Sequence, residues 1–423
     1  MTNKGWKVVF AGMGLNLALG VLYAWSIFGK QLTEAVENGG YGWTKTEAAL
    51  PYTIAIAIFA IMMVPAGRLQ DKFGPRIVAT IGAIMTGLGL IVSGFATPDN
   101  MMPVLIGFGV MAGMGFGLGY SAATPAAVKW FGAEKKGLIT GIVVSGFGLA
   151  PVYIAPLSKF LLSEYGVSAS FQMLGAAFAV VTFFLCQLIK NPPVVAPAAS
   201  AVKNSAAPVA KSDYSWKDML RTPTFYLLWL EYAFVAIAGL MIIGHLAKIV
   251  AIQSGNTIQI GFLFVAILAI FNASGRIIAG IVSDKIGRIK TLFIVCMTQA
   301  VVMFLFSNFS TITAFIIGSA VVGFSYGACL SLFPSTTADF WGSKNLGLNY
   351  GLLFTAWGVG GVFGPILAGM IADMTGNYNM AYMVASGLMV LAGLLTFITK
   401  APKESVQQRR TKVFVYPKPS IAK

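Results

Sequence analysis

Gly67-Arg-Leu-Gln-Asp71-Lys72-Phe-Gly74-Pro-Arg76 is a short charged turn between two apolar runs, and it returns as Gly280-Ile-Val-Ser-Asp284-Lys285-Ile-Gly287-Arg288. The two aspartates are 213 positions apart. A second pair of turns repeats at nearly the same distance. Pro125…Trp130-Phe-Gly132…Gly137-Leu…Gly141 resembles Pro334…Phe340-Trp-Gly342…Gly347-Leu…Gly351, about 210 positions later. Two like halves are expected from such a repeat. If each half holds an even number of membrane crossings, both insert with the same orientation.

Composition supports the crossings. Of 423 residues, 57% are hydrophobic and 10% charged, against about 45–50% and about 25% in soluble domains. A bilayer-spanning helix takes ~20 apolar residues, so the apolar content fills about twelve spans with short loops. This excludes a soluble enzyme, a secreted disulfide scaffold and a disordered chain. Apolar runs bounded by charges or turn residues place the spans at 6–29, 46–67, 77–96, 101–130, 137–163 and 169–189. The second six are 223–249, 257–282, 291–307, 310–338, 348–371 and 378–399. The fold expected is all-α, with twelve transmembrane helices in two parallel six-helix repeats. Residues 1–189 form the first bundle and 223–399 the second. Between them 190–222, rich in Pro, Ala and Lys, reads as a linker that cannot bury enough apolar surface to fold, and 400–423 is a basic tail.

Charge sets the orientation. Twenty-four of the 29 Lys and Arg residues fall on the side that would hold both termini and the linker; four (Lys30, Lys45, Lys159, Lys248) fall on the other, and Arg276 lies within a span. The positive-inside rule puts the richer side in the cytoplasm. The net charge of +15 is spread through the gaps between apolar runs instead of clustering on one face, so no nucleic-acid partner is expected. The apolar run Trp6–Phe28, preceded by Lys4, is too long for a signal-peptide core and no small-residue cleavage site follows it, so it reads as the first span. Cys186, Cys296 and Cys329 lie in apolar runs and read as small hydrophobes. The single histidine, His245, excludes sites needing two; no metal or cofactor is expected.

On these residues the chain resembles a known family. The twice-present GxxxD[RK]xG[RK] turn is similar to the signature of the major facilitator superfamily. Gly5-Trp6…Gly20-Val-Leu-Tyr23-Ala-Trp25-Ser26, Trp130-Phe-Gly-Ala-Glu-Lys-Lys-Gly137-Leu and Asn272-Ala-Ser-Gly-Arg276 resemble the oxalate/formate antiporters and the related monocarboxylate transporters. The likeness covers all but linker and tail. It implies a multi-pass carrier in the bacterial cytoplasmic (plasma) membrane, working as a monomer, with a small carboxylate anion, a proton and the lipid bilayer as partners.

Polar groups inside a bilayer are costly and need a reason. Arg276 lies some seven residues inside its span, roughly 10 Å deep at 1.5 Å per residue. It cannot shed its charge, and its planar fork matches a carboxylate; in the resembled family the matching arginine is the carboxylate ligand. Snorkelling to the interface is the alternative. Asn272, one turn earlier, shares its face. In the oxalate transporters the position of Trp357 holds a lysine. A single cation beside an aromatic wall balances one carboxylate and would leave the second charge of oxalate unpaired. That favours a lactate- or pyruvate-type monocarboxylate, taken up with a proton, over oxalate/formate exchange. The lysine and aspartate tied to proton coupling in animal monocarboxylate transporters correspond here to Ile27 and Asn272. Glu231 is the remaining proton candidate: an anion displacing it from Arg276 would leave its carboxylate to take up a proton. Tyr120 and Tyr326 are candidate donors to the anion, Phe354 and Leu330 candidate apolar walls, and His245 a candidate on the substrate or proton path. Asp71 and Asp284, acids flanked by cations, are expected to cap neighbouring helices and act in gating.

Gly323-Phe-Ser325-Tyr-Gly327 matches the hydrolase G-x-S-x-G pattern, but no histidine follows it, so no enzyme is expected. A non-transporting receptor of the same fold is the remote alternative.

Overall fold

The computed structural model describes residues 2–193, 213–258 and 260–402. The tail from 403 and most of the expected linker, 194–212, lie outside the described residues. Among those described, ten helices are long and apolar enough to cross a membrane. In chain order they are α1 (Asn3–Thr33), α2 (Thr46–Phe73), α3 (Pro75–Ser93), α4 (Met102–Val128), α5 (Lys136–Leu188), α6 (Pro223–Ile243), α7 (Leu263–Ile286), α8 (Arg288–Asn308), α9 (Ile312–Trp341) and α10 (Leu346–Thr375). A shorter apolar helix, α11 (Asn379–Leu395), follows. The protein is a multi-pass, all-α membrane protein.

Three of the expected boundaries differ. No loop forms at 164–168: α5 runs for 53 residues as two helices meeting at Gly166, whose φ of 74° interrupts the helix for one residue. The expected span 223–249 is broken after Ile243; a turn at Gly244 and His245 precedes a separate helix, Leu246–Gln253. In α1 a 3-10 segment, Gly20–Ala24, separates two α-helical stretches.

The repeated turn motif has the same backbone in both halves. Gly74 (φ 90°, ψ 158°) ends α2 and starts α3, and Gly287 (φ 96°, ψ 150°) ends α7 and starts α8. Positive φ is the region that only glycine enters freely, so a one-residue turn between long helices needs glycine at both places. Pro75 then opens α3 at a position where its missing N–H costs nothing.

The two halves meet along two helix pairs, α2 against α10 and α5 against α7, each in close backbone contact. A Cβ on Gly67 would lie 2.1 Å from the Gly347 carbonyl oxygen, and one on Gly137 2.3 Å from that of Gly280. Gly351 faces Met63 and Gly141 faces Arg276 at the same 2.3 Å. Small residues let helices approach this closely in an apolar solvent, where packing and not hydrophobicity drives association. The pairs are reciprocal: the helix ending in a turn motif in each half packs on the helix that follows the second motif in the other.

Candidate functional site

At one end of this interface each motif aspartate caps a helix of the opposite half. Asp284 accepts from the Gly137 and Leu138 backbone N–H groups, both at 2.9 Å, and lies 2.6 Å from the Arg288 guanidinium. Arg288 also reaches Asp339 at 2.8 Å, and Asp339 lies 3.2 Å from Lys136. Asp71 accepts from Leu348 N–H at 3.0 Å and from Gln70 at 2.6 Å, with the Lys129 ammonium 3.7 Å away. A helix N-terminus presents free N–H groups and a positive dipole end, so a carboxylate is stabilised there. Burial pulls Lys129 below the ordinary lysine range, against the opposing pull of Asp71 and Asp213. This end of the molecule is latched shut, and the α5–α7 latch is the denser of the two.

Deeper in the interface lies Arg276, 1% exposed. Snorkelling would need the opposite. Its Nε donates to Asn272 Oδ1 at 2.9 Å, one helical turn back, and Nη1 donates to the Val144 carbonyl on α5. Nη2 is buried without a hydrogen-bond partner, and among the described residues no carboxylate pairs with the guanidinium. Both acceptors are neutral, so the fork is oriented but its charge is not balanced.

A narrow cavity faces it, lined by Tyr23, Phe59, Tyr120, Phe147, Arg276, Leu330, Phe354 and Trp357. Trp357 is buried here, stacked on Phe354 with ring centroids 4.9 Å apart. Its indole N–H donates to the Tyr326 hydroxyl at 2.6 Å, which places Tyr326 behind the wall, holding the tryptophan, and not on the lining. The structure thus gathers Arg276, Tyr120, Leu330, Phe354 and Trp357 around one cavity, with Asn272 and Tyr326 as their supports. An unpaired cation with one free N–H edge facing an aromatic wall has the chemistry to attract an anion.

Two expected site residues lie elsewhere. Glu231 is 0% exposed, but it accepts from the Thr399 hydroxyl, and its second oxygen has no hydrogen-bond partner. It is not paired with Arg276, so the displacement scheme expected for it lacks its starting contact. The side chains at the two positions face different neighbours although both are deep in the bundle. His245, at the break after α6, bonds the Pro365 carbonyl at 3.0 Å and the Tyr378 hydroxyl at 3.2 Å, and is not among the cavity residues.

Sequence reading missed Tyr23, Phe59 and Phe147 as site residues. Tyr23 sits in the 3-10 segment of α1, and its phenol lies within polar-contact reach of the Arg276 guanidinium without making a well-formed hydrogen bond to Nη2. The available signal is the stretch Gly20-Val-Leu-Tyr23-Ala-Trp25-Ser26, where a tyrosine falls in a segment that resembles the family's first span. Phe59 and Phe147 are two among several aromatics in their apolar helices, and nothing local distinguishes them from lipid-facing or core residues.

Comparison with known proteins agrees with this architecture. The family model described as Major Facilitator Superfamily matches residues 7–307 and 232–421. The oxalate:formate antiporter of Oxalobacter formigenes is 30% identical over 402 residues, 94% of this chain and 91% of that protein. The uncharacterized MFS-type transporter YhjX of Escherichia coli (strain K12) is 30% identical over 366 residues, 84% of this chain and 86% of the other. Among solved structures, the proton:xylose symporter XylE superposes with a TM-score of 0.71 at 13% identity, covering 97% of this chain and 99% of that one; this likeness speaks to the fold alone. The helices, the paired motif turns and these matches agree, and the chain belongs to the Major Facilitator Superfamily, as a non-enzymatic carrier of a small solute across the plasma membrane.

Proposed function

We propose that the protein is an alternating-access exchanger of small, singly charged carboxylates, with Arg276 as the anion ligand. The observation that carries this reading is the buried Arg276 guanidinium with one N–H edge free and no acid beside it. Closing the bundle around an unpaired charge is expensive, and an anion removes the penalty. The empty carrier therefore crosses its closed state slowly and the loaded one readily, which is the behaviour of an exchanger. The name of the Oxalobacter relative, oxalate:formate antiporter, supports carboxylate exchange; the restriction to monoanions rests on the single cation of the cavity.

One cation lines the cavity. A monoanion balances it, whereas a dianion would bring a second charge against an apolar wall. Proton-coupled uptake of lactate or pyruvate has less support: the cavity residues include no carboxylate, and Glu231 is held by Thr399. In this reading the shorter α11 and the two helices of α5 complete twelve crossings, residues 1–189 and 223–399 are the rocking halves around linker 190–222, and the tail from 400 and both termini are cytoplasmic. Asp71 and Asp284 then latch the cytoplasmic gate.

The test is exchange in proteoliposomes. Labelled formate or lactate should enter vesicles preloaded with either acid, with unlabelled oxalate competing poorly, and Arg276→Gln should abolish entry. Full-rate uptake into unloaded vesicles, driven by an inward proton gradient, would establish symport in its place, and full activity of Arg276→Gln would remove the site assignment.

A further inference from the structure

The guanidinium of Arg276 belongs to the second half of the chain, yet a residue of the first half shapes its seat. Gly148, on α5, is buried and faces it directly. A Cβ built on Gly148 would lie 3.0 Å from Asn272 Oδ1, 3.2 Å from Arg276 Nε and 3.3 Å from Arg276 Cζ. Real Cβ atoms seldom come that near, so any side chain at 148 would displace both members of the Asn272–Arg276 pair.

The same glycine opens the carbonyl that Arg276 uses. Val144 is four residues before Gly148, so in a helix its carbonyl points at the 148 backbone N–H and lies beneath the 148 side chain. A carbonyl oxygen has a second lone pair, and with no side chain at 148 the flat guanidinium can reach it. Gly148 and the Val144 carbonyl thus form a notch that takes the Nε and Nη1 edge and leaves Nη2 free. The notch contributes no charge, so it aligns the cation without neutralising it.

We propose that Gly148 is a positioning residue for anion binding: a notch in one half that aligns the cation of the other, and that exists only while α5 and α7 are closed on each other. Opening the latched end draws α5 from α7 and takes the notch away, so the guanidinium changes its hydrogen-bonding partners in step with the gate. The transport consequence rests on Arg276 being the anion ligand; the structural claim does not.

A double-mutant cycle separates the two. Thermal unfolding of the purified, ligand-free protein should show a clear fall in melting temperature for Gly148→Ala, and little or none when Gly148→Ala is added to Arg276→Gln, whose shorter side chain leaves room for the methyl group. Gly141→Ala, whose Cβ would lie 2.3 Å from the Arg276 backbone oxygen, should be destabilising in both backgrounds and serves as the packing control. In proteoliposomes Gly148→Ala should raise the half-saturating concentration of labelled formate by about tenfold, equivalent to about 1.4 kcal/mol of binding. If Gly148→Ala does not fold alone, recovery of folding in the Arg276→Gln background supports the notch. Equal losses in both backgrounds, failure to fold in both, or no loss in either would overturn it. A correct cycle with unaltered half-saturation would leave the notch standing and refute Arg276 as the ligand.

Discussion

The two latches are built from the same motif but not to the same strength, and replacing each aspartate by asparagine reads the difference. Asp284 accepts two backbone N–H bonds at 2.9 Å and an arginine contact at 2.6 Å. Hydrogen bonds to a charged group are worth about 1.5–3 kcal/mol each. Asparagine keeps one acceptor oxygen, so Asp284→Asn loses one such bond and the ion pair, about 3 kcal/mol in favour of the closed latch. Across the interface Asp71 accepts one bond of ordinary length, from Leu348 at 3.0 Å, with the Gly347 N–H beside it, and its lysine stands at 3.7 Å. In Asp71→Asn the amide oxygen can retain the Leu348 bond, and the loss is about 1 kcal/mol. At about 1.4 kcal/mol per tenfold, the closed-to-open ratio should fall about a hundredfold for Asp284→Asn and about fivefold for Asp71→Asn. Spin labels at Lys72 and Lys344, both exposed, report the separation of the halves at this end. Double electron–electron resonance should show the longer-distance population growing far more for the first variant. Equal shifts, or a larger one for Asp71→Asn, would refute the ranking of the latches by their bond geometry.

Trp357→Lys should add a second cation to the cavity and move competition in the exchange assay from monocarboxylates toward oxalate, while losing the bond to Tyr326; unchanged selectivity would show that residue 357 does not set the charge of the cargo. Glu231→Gln should leave exchange intact and cost little stability, because Thr399 can still donate to the amide oxygen, whereas Thr399→Val should lower stability by about 1–2 kcal/mol by leaving a buried acceptor unpaired. Loss of exchange in Glu231→Gln would return the glutamate to the coupling mechanism.

The patterns local to the chain are legible in the sequence alone. Apolar runs of bilayer length announce membrane helices because lipid allows no unsatisfied backbone. Asp71 and Asp284 stood out because a charged turn at a helix end recurs, and Arg276 because charge within a span is rare. Asn272 followed from helical spacing alone, four residues before the arginine. What the tertiary structure decided were contacts between residues far apart in sequence. Gly148 meets Arg276 across 128 positions, and Asp71 caps Leu348 across 277. Tyr23, Phe59 and Phe147 are ordinary aromatics until three helices bring them to one cavity. Glu231 and Arg276 looked like partners by depth, but depth does not fix which face of a helix a side chain occupies, or which neighbour that face meets. A one-dimensional pattern gives each helix its length, burial and ends; only the packing of helices against one another chooses the partner of a buried charge.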